Sequence, residues 1–105
     1  MGMIYHVCTI ETWDQEKDNK KFGKSELKKY GFIHSSTKKG LERIINRFTD
    51  ETEKYLVLCI DEEPIMDQIR YENKDPDHLF PHFAELIDRD HIKNVMPLKD
   101  FLSEE

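Results

Sequence analysis

The sequence predicts a small α+β domain, and three observations carry that reading. A nearly uniform apolar run, Tyr55-Leu56-Val57-Leu58-Cys59-Ile60, has the length and composition of a strand that lies mid-sheet with both faces covered. Leu41, Ile44, Ile45 and Phe48 recur at the i, i+3, i+4, i+7 spacing of an amphipathic helix that would lay its apolar face on such a sheet. At 105 residues the chain has the common size of one domain, enough to withdraw roughly two-thirds of its extended surface from water, so a single core over residues 1–105 is expected.

The elements follow in order. Met3 to Cys8 is apolar and aromatic, without Gly or Pro, and reads as an interior strand that carries His6. Thr9 can N-cap a short helix running to about Lys17, with Glu11 in its first turn and Trp13 on its apolar face, and the polar stretch Asp18 to Lys21 ends it. Gly23 and Gly31 bracket Lys24 to Tyr30, too short for a core helix yet able to hold one turn from Ser25. Gly31 to Ser36 is a second strand with Phe32 and His34 on one face and Ile33 on the other. Thr37 caps the helix Lys38 to Phe48.

Beyond the apolar strand, Pro64 stops its extension, and Gln68-Ile69-Arg70-Tyr71-Glu72 alternates so that Arg70 and Glu72 share a face. Asn73 to Asp77 is a polar turn, Leu79 to Phe83 is apolar again, and Ile92 to Met96 makes a last strand that Pro97 ends. Leu98 to Leu102 reads as a short terminal turn. Strands so spaced imply a mixed or antiparallel sheet with short flanking helices.

Composition excludes several functions. With 16 Lys and Arg against 22 Asp and Glu the net charge is −6, which repels phosphate backbones and anionic headgroups, so neither broad nucleic-acid binding nor a membrane partner is expected. No stretch approaches a membrane span and no signal peptide opens the chain, so a cytoplasmic location is the expectation. Cys8 and Cys59 lie in apolar runs and form no C-x-x-C, as expected of small buried hydrophobes rather than ligands or nucleophiles. No H-E-x-x-H, G-x-S-x-G or glycine-rich phosphate loop is present. His78 and His82 are four apart, but Pro81 between them removes the meaning of that spacing, and no metal is expected.

Chemistry concentrates on His6, His34 and His82, each inside or beside an apolar segment. Taken singly, each reads as a half-buried histidine satisfied by backbone. Arg70 and Glu72 are open to two readings: ordinary sheet surface, or a guanidinium fork for a phosphate or carboxylate beside a carboxylate that orients a hydroxyl. The joint reading places His6, His34, Arg70, Glu72 and His82 around one small-molecule pocket.

Ile4-Tyr5-His6, Gly31-Phe32-Ile33-His34-Ser35-Ser36, the strand through Ile60, Arg70-Tyr71-Glu72 and Leu79-Phe80-Pro81-His82 occur in an order that resembles the domain of unknown function 952 family over nearly the whole chain. The resemblance implies a compact α+β fold with a split sheet, similar to the ADP-ribosyltransferase and RNA 2′-phosphotransferase superfamily, in which a cleft clamps NAD. Carried onto this chain, Tyr5, His6 and Thr9 match the first-strand motif whose histidine meets the adenosine ribose. Glu72 is the implied carboxylate for the nicotinamide ribose, with His34 as its catalytic companion and Ser35, Arg70 and His82 as further cofactor contacts. Ala84-Glu85 stands where the family usually has Tyr-Gly, so whatever that tyrosine does is missing here. The implied cofactor is NAD or a related ribose phosphate, and the implied reaction is glycosyl transfer or hydrolysis through an oxocarbenium-like state. A non-catalytic ligand-binding module and a partner-binding domain remain the alternatives, since one fold hosts many functions.

Overall fold

Residues 2–45, 52–71 and 77–103 are described by the computed structural model. The chain opens with β1 (Met3–Thr9), whose side chains alternate so that Ile4, His6 and Cys8 are buried. It runs antiparallel to β4 (Tyr55–Asp61), the apolar strand, which also pairs antiparallel with β8 (Ile92–Pro97). The order β1-β4-β8 puts β4 in the centre, as a strand apolar on both faces requires. Ile4, Cys8, Leu58 and Ile60 pack on one side with Phe22, Ile33, Ile65, Phe83 and Ile87. Val57 and Cys59 pack on the other with Leu41, Leu98 and Phe101.

Two smaller antiparallel sheets complete the fold: β2 (Lys21–Phe22) with β7 (Ile87–Asp88), and β3 (Ile33–His34) with β6 (His82–Phe83) and β5 (Ile69–Arg70). The observed ladders are therefore all antiparallel, and of the two sheet types expected the mixed one is not found among the described residues. Pairing also shortens two expected strands. The second strand keeps only Ile33–His34, with Ile33 buried and His34 outward as the period of two demands, and the fifth keeps only Ile69–Arg70 after a 3₁₀ helix over Glu63–Gln68.

The helices are short. Thr9 caps α1 (Ile10–Gln15) by accepting from the Thr12 N–H, and Thr37 caps α3 (Lys38–Ile44) by accepting from the Gly40 N–H. Leu41 is fully buried on α3 while Ile44 and Ile45 are half-buried against the same cluster, and the expected continuation to Phe48 lies outside the described residues. Lys24–Tyr30 forms α2, nearly two full turns where one was expected. Its cap, Gly23, sits at φ +115°, and there the backbone donors are met by the buried Glu16: its carboxylate accepts from the N–H groups of Gly23, Lys24 and Ser25 at 2.9, 3.0 and 3.3 Å. The last segment is a helix, α4 (Leu98–Ser103), because Leu98 and Phe101 both find the second core. No helix of the described residues is long and apolar enough to cross a membrane.

Gly40 marks the tightest approach of α3 to the following chain, since a Cβ there would stand 2.5 Å from the Leu79 carbonyl oxygen. In an open helix Gly→Ala stabilises by roughly 1 kcal/mol. Gly40→Ala is expected to reverse that sign and cost on the order of 1–3 kcal/mol, because backbone rather than a flexible side chain must yield. Urea denaturation checks it: an unchanged or raised midpoint would show that α3 moves away from Leu79 freely.

Candidate functional site

One reciprocal backbone contact joins β1 to the strand after α2. Tyr5 and Ser36 exchange N–H to carbonyl bonds of 2.7 Å, forming an isolated antiparallel bridge. Because the pairing is a bridge and not a ladder, the backbones part beside it and leave a cleft of about 430 Å³ lined by Tyr5, His6, Glu26, Tyr30, His34 and Ser36 among others.

His6 forms the inner end. Its ring is only 2% exposed and lies edge-on to Phe22, with centroids 5.7 Å apart. Nδ1 carries a proton and donates it to the His34 carbonyl at 2.5 Å, since a carbonyl can only accept. Among the described residues no hydrogen-bond partner meets Nε2; the nearest charged atom is Glu26 Oε1 at 3.6 Å. Glu26 Oε2 is well supplied, accepting from the His34 backbone N–H at 2.7 Å and standing 3.1 Å from His34 Nδ1. Glu26 thus holds His34 in place with one oxygen and turns the other to His6.

His34 is half-exposed and surrounded by rings: Phe32 at 4.6 Å, Tyr30 at 5.3 Å and His82 at 5.3 Å between centroids. His82 is its cross-strand partner and also lies 4.5 Å from Phe32. Of the residues singled out from sequence, Tyr5, His6, His34 and Ser35 line the cleft, and His82 stands one ring further out. The Ser35 hydroxyl donates to the Pro81 carbonyl at 2.6 Å, a tie to the neighbouring loop. Thr9 spends its hydroxyl on Thr12 as the α1 cap and lines an adjoining cleft. Arg70 faces His82 across the β5–β6 ladder, but its Nη1 donates back to the Asp67 and Ile69 carbonyls at 2.9 Å each, and it lines neither cleft. Glu72 lies outside the described residues. Among the described residues no three His, Cys, Asp or Glu side chains are placed to hold a metal ion.

The sequence reading missed Glu26, Tyr30 and Ser36. Glu26 and Tyr30 are four apart and so share one face of α2, a signal hidden once Lys24 to Tyr30 was read as a single turn. Ser36 belongs to a stretch whose sequence reads as strand, which carries no sign of cleft lining.

The family model described as "Protein of unknown function (DUF952)" matches residues 7–95. The crystal structure of the protein CC0527 from Caulobacter crescentus superposes with a TM-score of 0.68 at 22% identity, covering 96% of this chain and 98% of that one. The solution NMR structure of the same protein gives 0.65 at 21% identity with both chains covered completely. At such identity the likeness is one of fold. No curated protein matches the chain.

The cleft continues past Cys8, whose thiol is pushed up to about 12 by burial first and then by the charges of Glu26 and Glu16. At neutral pH it is a protonated thiol, inert as a nucleophile. In the unfolded chain the thiol titrates near 9, so between pH 9 and 12 the unfolded state releases a proton that the folded state keeps. Stability is therefore expected to fall as pH rises through that window, and Cys8→Ala should flatten the fall while lowering stability at pH 7. Denaturation midpoints at pH 7, 9 and 11 measure this; equal slopes in both proteins would place Cys8 in contact with water.

Proposed function

We propose, for a chain that belongs to the DUF952 family, that the cleft over His6 and Glu26 binds a small ribose-bearing ligand such as NAD, ADP-ribose or another ribose phosphate, and holds the sugar by two adjacent hydroxyls. The single observation that supports this is the pair of polar atoms at the inner end: His6 Nε2, buried and without a hydrogen-bond partner among the described residues, and Glu26 Oε1 3.6 Å from it. A buried polar atom left without a hydrogen bond costs roughly 1–3 kcal/mol. A hydroxyl both donates and accepts, so one ligand hydroxyl can meet Nε2 while its neighbour donates to Glu26, and a ribose cis-diol is such a group. In that pose Tyr30 lies beside the sugar, and His34, oriented by Glu26, stands at the cleft wall.

Turnover, if the ligand is cleaved, takes the form of glycoside hydrolysis or ADP-ribosyl transfer. On the resemblance to the ADP-ribosyltransferase superfamily, Glu72 or a nearby group is the candidate for the carboxylate beside the reacting ribose, and His34 is proposed as its companion. NAD would bring the glycosidic bond to nicotinamide; this chain's residues would orient the sugar and hold its hydroxyl protons. Arg70 is the cation proposed from sequence for the phosphate. Its guanidinium would have to leave the Asp67 and Ile69 carbonyls to reach a ligand in the cleft. The alternative is a module that binds the same ligand through the same contacts and releases it unchanged.

Calorimetry and thermal shift against NAD, ADP-ribose, AMP and ribose 5-phosphate, each beside a 2′-deoxy counterpart where one exists, test the reading. The ribo forms are expected to bind at least tenfold more tightly than the deoxy forms, and Glu26→Gln should remove that preference. Nicotinamide released from NAD and lost in Glu72→Gln identifies the enzyme, and binding without release identifies the module. A ligand present at 100 times its dissociation constant adds about 2.7 kcal/mol, so no shift for any of these at millimolar concentration would sink the proposal.

A further inference from the structure

A second cleft, of about 370 Å³, adjoins the first. Val7, Glu26 and Tyr30 line both, so the two are lobes of one groove divided by the Glu26–Tyr30 face of α2. The second lobe adds Cys8, Thr12 and Tyr55, with the exposed Lys29 among its lining.

Tyr30 is the feature that ordinary packing leaves unexplained. It is half-exposed, among the largest exposed apolar surfaces among the described residues, and lines both lobes; His34 braces the ring edge-on at 5.3 Å, and the Lys29 ammonium lies over it 5.1 Å from the centroid, which leaves the opposite face for a ligand. A ring held upright by a neighbour at a groove's partition loses little freedom when a second planar group stacks on it. His6, whose buried Nε2 has no hydrogen-bond partner among the described residues, lines the first lobe together with Tyr30. A sugar anchored on His6 and Glu26 therefore sits beside Tyr30, with room for its planar substituent on the other side.

We infer that the second lobe receives the uncharged planar base of the ribose ligand, stacked on Tyr30, so that the groove as a whole reads a nucleoside and not a bare sugar phosphate. This rests on the ribose reading of the first lobe and adds to it the position and chemical class of the substituent. The floor of the lobe agrees with an uncharged group: it is dry enough, and close enough to the carboxylates of Glu26 and Glu16, to keep the Cys8 thiol protonated far above neutral pH. An anionic group is disfavoured at that floor, and phosphates belong at the open rim, where the exposed Lys29 lies.

The test crosses two ligands, adenosine and 2′-deoxyadenosine, with three proteins, the wild type, Tyr30→Leu and Tyr30→Phe, using calorimetry on the full chain. Tyr30 is exposed, so both variants are expected to keep the wild-type melting temperature. Tyr30→Leu should weaken both nucleosides by about tenfold or more, the scale of base–aromatic stacking, while preserving the ratio between them. Tyr30→Phe, which keeps the ring and loses only the hydroxyl, should restore wild-type affinity. If Tyr30→Leu binds adenosine as tightly as wild type while the preference over 2′-deoxyadenosine persists, the base lies elsewhere and this inference falls, with the ribose reading left standing. If Tyr30→Phe is as weak as Tyr30→Leu, the hydroxyl is what matters and stacking is overturned. Should wild type bind neither nucleoside at millimolar concentration while ribose 5-phosphate still binds, this inference falls and the ribose reading stands; if ribose 5-phosphate and the nucleotides fail as well, both fall.

Discussion

The bridge between Tyr5 and Ser36 is the contact from which the geometry of the cleft follows. Two hydrogen bonds of 2.7 Å fasten the free edge of β1 to the chain leaving β3, and the neighbouring His6 ring adds a third by donating to the His34 carbonyl. Had β1 and β3 formed a full ladder, their side chains would have closed over one another at strand spacing. A single bridge brings the two sheets into contact at one point and lets them diverge on either side. The edge of β1 is thereby protected from open pairing, and the space beside it is what α2 walls in.

Two carboxylates show how the same group serves structure or chemistry depending on its donors. Glu16 is buried and accepts from three successive backbone N–H groups at the start of α2, where the glycine cap has no side chain to offer. Its peptide carbonyl is met in turn by Arg89, whose guanidinium lies over the Trp13 ring. Everything about Glu16 is satisfied, and it is an anchor. Glu26, in the first turn of the helix that Glu16 anchors, accepts hydrogen bonds on one oxygen among the described residues and turns the other to the buried His6 Nε2. The asymmetry between them is what separates a capping carboxylate from one available to a ligand.

Aromatic packing extends the site outward. Tyr30, Phe32, His34 and His82 form a chain of ring contacts along the β3–β6 ladder, which keeps His34 upright and carries His82 to the edge of the cleft. The guanidinium of Arg70, one strand beyond, folds back on its own backbone. Cross-strand register puts Arg70 near these rings, but where its long side chain goes is settled by local carbonyls, which register alone does not reveal.

Sequence by itself determined the central strand, the apolar face of α3 over Leu41, Ile44 and Ile45, the Thr9 and Thr37 caps and the burial of both cysteines. These are local or periodic properties: burial on two faces, a stripe every third or fourth residue, a hydroxyl one position before a helix. Membership of the DUF952 family was legible as well, because the segments that carry it are continuous in sequence, four of the five lying within the matched residues 7–95. That His6 is fully buried and His34 exposed, where both read as half-buried, was decided by the tertiary structure. Tertiary structure alone decided the division into three antiparallel sheets, the full length of α2, the helical terminus and the membership of the cleft. Two-residue strands such as β2 and β7 carry too little pattern to read, and α2 is a helix because Glu16, seven residues before its cap, supplies the donors' partner. His6 and Glu26 lie 20 residues apart in sequence, and no spacing rule connects them. They meet because a bridge, a cap and a pair of hydrogen bonds to His34 converge at one edge of a strand.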